Sequence, residues 1–450
     1  MDKNSCRSGA QTVLLTEFAS SPHGSYSLFH PGTFNCTAPI IHEAFIGAHS
    51  GFMTDNQNFT KNGNLLASLK AKLKSMKTNK YTHSIFLAIA LLFFSCANDD
   101  PEPTDPTLTL QEKVDQYLNA HQSENSAGLS IAVRKDGIVT YRGNRGIAIA
   151  NGAQPIGNDT QFRLGSISKP LTAIAIMKLV EEDRLNLSDR IMGLVPNLPE
   201  SYAAITIEQL LSHRSGLLDY LDDIDDKRSL NNVKTSEVPG LLDGSGLERL
   251  QFAPGTSGDY SNTGYVLLAL VIEELTGQTY PEYLAEVIFE PAGMIDSWVI
   301  SEHEHMGDHG ADYALSFGTT RNVFNFNSLI YGASGVVGST NDLMRFASAL
   351  LNGDIISMSS LQQMTTVRGP LPGIADYGLG WFSGSGNYWH TNFISDANDF
   401  FHTGGNDGYR TVLSFNPDLD LQIAILTNGG DTTQELMWGV MTLVREHYKQ

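Results

Sequence analysis

Strand-like segments lie at both ends of this chain, and a long helical stretch lies between them. Near the start, residues 129–134 and 138–142 flank Lys135-Asp136-Gly137. Two such runs around an Asp-Gly pair predict a β-hairpin, because that dipeptide tolerates the positive φ angles of a tight turn. Near the end, residues 411–415 and 421–426 alternate or run apolar as strands do. Residues 108–120 predict an amphipathic helix, residues 435–447 a closing helix, and the stretch from Ile191 to about Gly310 reads as helix and loop. The arrangement predicts an α/β domain made from both termini, with an all-α region inserted between them. The chain shows no internal repeat and no low-complexity segment.

Composition changes near Met76. Lys77 and Lys80 precede an apolar run over 85–94, then Ser95-Cys96. A short basic region, a short apolar core and a small residue before the cut site describe a secretory signal over 76–95. The run is too short for a stable membrane-spanning helix, which takes about 20 apolar residues. The cysteine directly after it resembles a lipobox, so Cys96 is expected to carry the lipid. Phe93 departs from the aliphatic residue usual three positions before such a cysteine. Residues 96–107, rich in proline and acid, read as a tether. Residues 1–75 lack sustained periodicity and hold Cys6 and Cys36, and they read as a mis-assigned upstream segment. The expectation is an exported domain over 108–450, lipid-anchored to the periplasmic or surface side of a bacterial envelope. Mass analysis of the native precursor checks this: a precursor that keeps residues 1–75 contradicts a start at Met76.

Charge narrows the partners. Residues 1–95 contain 8 basic and 4 acidic residues, out of 29 and 49 in the chain, so the remainder carries net −24. That disfavours nucleic acid and direct adsorption to anionic lipid, leaving membrane contact through the N-terminal lipid only. No cysteine follows Cys96, so the domain must be held by its core alone, which roughly 340 residues can supply.

The chemistry-bearing stretch is Ser166-Ile167-Ser168-Lys169, followed by an apolar helical run. A serine and a lysine three residues apart share a helix face, which sets a hydroxyl beside an amine able to take its proton. Pro170 is compatible with a helix starting near Ser166, since a first-turn proline loses no intrahelical hydrogen bond. Downstream, Tyr260-Ser261-Asn262 sits in a glycine-flanked loop before an apolar helix, and His402-Thr403-Gly404 opens the C-terminal strands. Tyr117-Leu118-Asn119 repeats the Tyr-x-Asn form but falls in the first amphipathic helix.

With these three motifs in order, the chain resembles the serine β-lactamase-like hydrolases: class C β-lactamases, D-Ala-D-Ala carboxypeptidases, D-aminopeptidases and related esterases. The resemblance runs from about Leu108 to the C-terminus. It extends to Gln161-Phe-Arg-Leu-Gly-Ser-Ile-Ser-Lys169, Ile207-Glu-Gln-Leu-Leu-Ser-His-Arg-Ser-Gly216, Tyr331-Gly-Ala-Ser-Gly335 and Tyr377-Gly-Leu-Gly-Trp381. It implies an antiparallel sheet flanked by helices, with the active site between the sheet domain and the inserted helices.

The resemblance also implies roles. Ser166 is the expected nucleophile, forming an acyl-enzyme, with the backbone N–H groups of Ser166 and Gly405 as the oxyanion hole. Lys169 and Tyr260 are the two candidates for general base. A free lysine titrates near 10.4, so Lys169 would have to be depressed or share the task. Asn262, His402, Thr403, Gly404 and Gly405 are the expected substrate-binding residues. Histidine at 402, where most β-lactamases have lysine, shifts the expectation toward a peptidase or esterase acting on a small amide, ester or D-Ala-D-Ala peptide. A β-lactamase is the nearest alternative, and a non-catalytic lipoprotein that binds wall peptides is the alternative of another kind. Arg410 is a candidate cation for a substrate carboxylate or else a structural ion pair. His213 reads as structural. Asp219, Asp222, Asp223, Asp225 and Asp226 read as a solvated charge run. The cluster His303, Glu304, His305 and His309 reads as exposed loop, so neither metal nor other cofactor is expected.

Overall fold

The expected hairpin forms between β1 (Leu129–Lys135) and β2 (Ile138–Arg145). Its turn residues Asp136 and Gly137 have φ angles of 50° and 76°, the left-handed values that a two-residue hairpin turn requires. The computed structural model describes residues 108–448 except 123–125, 150–153, 222–232, 243–245, 247, 302–328, 385–395, 397 and 407. Cys96 and the histidine cluster at 303–309 lie outside the described residues.

Three short strands, β3 (Phe162–Arg163), β4 (Trp298–Val299) and β5 (Val336–Gly338), make a small sheet in the order β3-β5-β4. Ile147–Ile149 and Gln154–Pro155 pair as a separate two-stranded ribbon. Six further strands are β6 (Gly369–Leu371), β7 (Ala375–Tyr377), β8 (Phe382–Ser383), β9 (Phe400–Asn406), β10 (Tyr409–Asn416) and β11 (Leu421–Thr427). They join the hairpin in one antiparallel sheet of order β2-β1-β11-β10-β9-β8-β7-β6. The first and last strands are neighbours, with Leu129 opposite Thr427 and Lys135 opposite Leu421. The two ends of the domain therefore meet in one sheet, as the pattern of strand-like segments predicts.

The helices include α1 (Leu110–His121), α2 (Ser168–Glu181), α3 (Ile207–Leu211), α4 (Asn262–Thr276), α5 (Thr340–Asn352) and α6 (Asp431–Tyr448); other short helices, Met358–Thr365 among them, and turns lie between. One sheet face is covered by α1 and α6. Val114, Leu118, Val440 and Val444 pack there with Ile131, Val133, Ile423 and Ile425. Ala424 and Leu426 of β11 face the other way, into the larger core built around α2, α4 and α5. Burial on both faces explains why β11 carries the unbroken apolar run Ile423-Ala-Ile-Leu426 rather than alternating. Each fully buried aliphatic side chain of this kind contributes about 1.5–3 kcal/mol. Thr109 caps α1 in a reciprocal box with Glu112, worth about 1 kcal/mol.

One expectation needs correction. The inserted region is not all-α, because β4 lies inside it and pairs with β5. A two-residue strand inside the three-residue apolar run Trp298-Val299-Ile300 is too short to register in the sequence.

Candidate active site

Gly165–Ile167 form a single tight turn that feeds directly into α2. Gly165 has φ +57°, and a Cβ there would come within 2.8 Å of the backbone nitrogen of Gly405. Only glycine permits both that backbone shape and that approach. Leu164 hands its N–H to Val336 O, and Val336 returns its N–H to Ser168 Oγ, so β5 clamps the turn from one side. On the other side Thr411 Oγ1 donates to Leu164 O at 2.8 Å. Ser166 is thereby held at the head of α2, half-exposed, while Lys169 one turn further is fully buried.

Lys169 Nζ has three neighbours at hydrogen-bond distance: Ser166 Oγ at 3.0 Å, Asn262 Oδ1 at 2.7 Å and Ala333 O at 3.0 Å. An ammonium can donate to all three. A neutral amine has two hydrogens and one lone pair. Asn262 Oδ1 and Ala333 O have no proton to give, so each must keep an N–H. The lone pair is then left for Ser166, whose hydroxyl can turn to donate. Burial pulls the Lys169 pKa from 10.5 down to about 7, opposed by the nearby Asp219 charge. The Tyr260 ring lies against the same amine, its centroid 4.7 Å from Nζ.

The Tyr260-Ser261-Asn262 segment leads into α4, whose first residue is Asn262. It is gripped along its length by residues 211–221. Asp259 N–H donates to His213 O, Ser261 N–H to His213 Nδ1 at 3.1 Å, and Thr263 Oγ1 to Leu218 O at 2.8 Å. Asp219 Oδ2 accepts both the backbone N–H of Asn262 at 2.8 Å and its Nδ2 at 2.7 Å. Asp219 is 8% exposed, so it is not part of a solvated run; the acidic residues 222–226 lie outside the described residues. The sequence does carry a signal for this: Asp219 sits among Leu217, Leu218 and Tyr220, and that apolar setting marks burial. The carbonyl of Ala333 is not legible in the sequence, since a backbone acceptor leaves no trace in residue type.

Asn262 thus has both ends of its amide engaged by protein, Oδ1 by Lys169 and Nδ2 by Asp219. An amide NH₂ has a second hydrogen, so these internal bonds leave room for the expected contact with substrate. His213 packs against Tyr260 with ring centroids 4.3 Å apart and planes tilted by 32°. Its Nδ1 accepts a hydrogen bond, so the proton resides on the buried Nε2. Burial first, then Lys169 and His402, keep its pKa well below the ordinary value.

His402 is fully buried on β9. Its Nδ1 lies 2.7 Å from Thr403 O and so carries the proton, which leaves Nε2 to accept from the Tyr377 hydroxyl at 3.2 Å. Burial, and secondarily Lys169, lower its pKa to about 3. It is a neutral imidazole, not a cation. Thr403 is half-buried, Gly404 buried and Gly405 exposed beside the nucleophile turn. Arg410 bridges Asp431 and the Gln434 amide and donates to Asn406 O and Tyr409 O, which is the structural ion pair among its two expected readings.

A serine paired with a buried amine, a tyrosine against that amine and a strand of small residues beside the serine can perform acyl transfer. The sequence profile of the family described as Beta-lactamase matches residues 110–443. The chain belongs to the beta-lactamase family. Members of this family are serine hydrolases acting on small amide, ester or peptide substrates, and this chain is an enzyme of that kind. Penicillin-binding protein 4* of Bacillus subtilis is 29% identical over 320 residues, covering 68% of this chain and 69% of that protein. The penicillin-binding protein homologue of Pyrococcus abyssi superposes with a TM-score of 0.62 at 25% identity, covering 75% of this chain and 77% of that one. The D-amino acid amidase of Ochrobactrum anthropi superposes with a TM-score of 0.61 at 23% identity, over 76% of this chain and 99% of that one. That last likeness establishes the shared fold. Within the beta-lactamase family frame, the antiparallel sheet with helices on both faces is the expected architecture.

Proposed function

We propose that this protein hydrolyses D-Ala-D-Ala-type peptides or related small amides and esters through an acyl-enzyme at Ser166. The observation that carries the reading is the set of three neighbours around Lys169 Nζ: two of them, Asn262 Oδ1 and Ala333 O, can only accept, which leaves the lone pair of a neutral amine to Ser166 Oγ. Lys169 takes the hydroxyl proton as Oγ bonds to the substrate carbonyl carbon. The backbone N–H groups of Ser166 and Gly405 receive the oxyanion; a donor of this kind is worth about 3–4 kcal/mol. The proton passes from the Lys169 ammonium, through the Tyr260 hydroxyl, to the departing amine or alcohol as its bond to carbon breaks. Water then attacks the ester by the same route in reverse, releasing the acid and restoring the serine.

Neutral His402 and the engaged Arg410 weigh against the β-lactamase alternative, where a fixed cation meets a carboxylate; a D-Ala-D-Ala peptide also ends in a carboxylate, so the same observation favours the small-amide and ester side of the reading. The penicillin-binding name of a 29% identical relative supports the D-Ala-D-Ala side of the reading.

The test is turnover of three probes by wild type and Ser166→Ala: a D-Ala-D-Ala dipeptide, D-phenylalanine amide and p-nitrophenyl acetate. Wild type should cleave at least one, with loss of about 10³-fold or more in the variant. Equal rates in both proteins would overturn the reading in favour of a binding lipoprotein.

A further inference from the structure

We propose that Asp219 is a positioning residue for the acylation step, which fixes the Asn262 amide so that only its oxygen can face Lys169. The proposal rests on the reading of Lys169 as the base. An asparagine amide offers an oxygen and an NH₂ of nearly identical shape, and its orientation is set by its partners. Were the NH₂ to face Lys169, it would compete for the amine's lone pair and draw it away from Ser166. Asp219 removes that option, because a carboxylate oxygen accepts and cannot donate. Its Oδ2 takes Asn262 Nδ2 at 2.7 Å and the Asn262 backbone N–H at 2.8 Å, while Oδ1 takes Leu221 N–H at 2.9 Å. The carboxylate is therefore held from its own side as well. A buried anion at the head of α4 also caps that helix. Capping alone, however, requires only the bond to the backbone N–H; the second bond, to the side chain, is what determines which atom meets the amine.

The charged and titratable groups around Lys169 among the described residues are few. Asp219 favours the ammonium. His213 and His402 are both held neutral by burial. The rings of Tyr260 and Tyr265 lie 4.7 and 5.7 Å from Nζ. Loss of the Asp219 charge should accordingly ease deprotonation of Lys169.

The test is the rate of Ser166 acylation by p-nitrophenyl acetate and by benzylpenicillin, followed by burst kinetics and intact mass across pH. Asp219→Ala and Asn262→Ala should each slow acylation about 10- to 100-fold. The double variant should be no slower than the worse single variant, because Asp219 acts through Asn262. Asp219→Asn retains an acceptor for the Asn262 amide without the charge. It should move the acidic limb of the rate profile down by about half a pH unit or more. If Asp219→Ala does not fold, the same cycle with Asp219→Asn decides, because an amide can turn either its oxygen or its NH₂ to Asn262 and no longer fixes it. Fully multiplicative losses in the double variant would overturn the positioning role while leaving the hydrolase reading intact. A wild type that acylates with neither probe would overturn the hydrolase reading, and this role with it.

Discussion

At the scale of single residues, the site is a problem of hydrogen inventory. Lys169, Asn262 and Asp219 form a chain in which each polar atom has one role left to it. The carboxylate accepts, the amide NH₂ donates, the amide oxygen accepts, and the amine is left with its lone pair toward Ser166. The burial that makes this ordering strict also lowers the Lys169 pKa to about 7. A base must be unprotonated to act, so kcat/KM should rise with pH through about 7 and level off above it. The limb belongs to Lys169 together with whatever Tyr260 shares with it. A profile flat from pH 5 to 9 would mean that Lys169 does not titrate in the acylation step. His402 cannot produce this limb, since its pKa of about 3 leaves it neutral across the range. Much of this scale was legible in the sequence. Ser166, Lys169, Tyr260 and the residues from His402 to Gly405 do converge on one place. Asp219 was not legible as a functional residue, because the acidic residues that follow it mask one buried carboxylate within a charge run.

At the scale of elements, the active site is a contact between one turn and one strand. β9 approaches the nucleophile turn so closely that a Cβ on Gly404 would lie 2.0 Å from Leu164 O and 2.2 Å from Thr411 Oγ1. Both atoms belong to the bond that joins β10 to the turn. Gly404→Ala must therefore push β9 and its Gly405 N–H away from Ser166. We expect a loss of about 10²-fold or more in acylation, in a protein that still binds substrate. Activity within threefold of wild type would show that Gly405 does not serve as an oxyanion donor. The hairpin, the closing helix and the C-terminal strands were legible because their apolar periodicity is local. Strands β6 to β8 were not, being two or three residues long and defined by their partners. β4 escaped notice for the same reason.

At the scale of the whole domain, the catalytic strand is anchored from behind. Arg445 on α6 pairs with buried Asp399 at the entry to β9 and also donates to Ser414 Oγ at 2.8 Å. Asn416 Nδ2 completes the group on Asp399 at 2.8 Å. The closing helix thus holds the strand that carries His402 and Gly405, and the first strand holds the last, so both chain ends brace the strand beside Ser166. The overall α/β plan was visible in the sequence because strand-like segments stand at both ends. What ties the closing helix to β9, a pair of buried charges 46 residues apart, was not, since neither Asp399 nor Arg445 looks unlike a surface residue in sequence. The central claim concerns Ser166, and the most direct measurement is intact-protein mass after exposure to benzylpenicillin, with peptide mapping of any adduct. The account predicts a persistent adduct of one penicilloyl group on Ser166, with the free drug otherwise intact. An adduct on another residue would contradict the nucleophile. Destroyed drug without an adduct would contradict the peptidase reading and make the protein a β-lactamase.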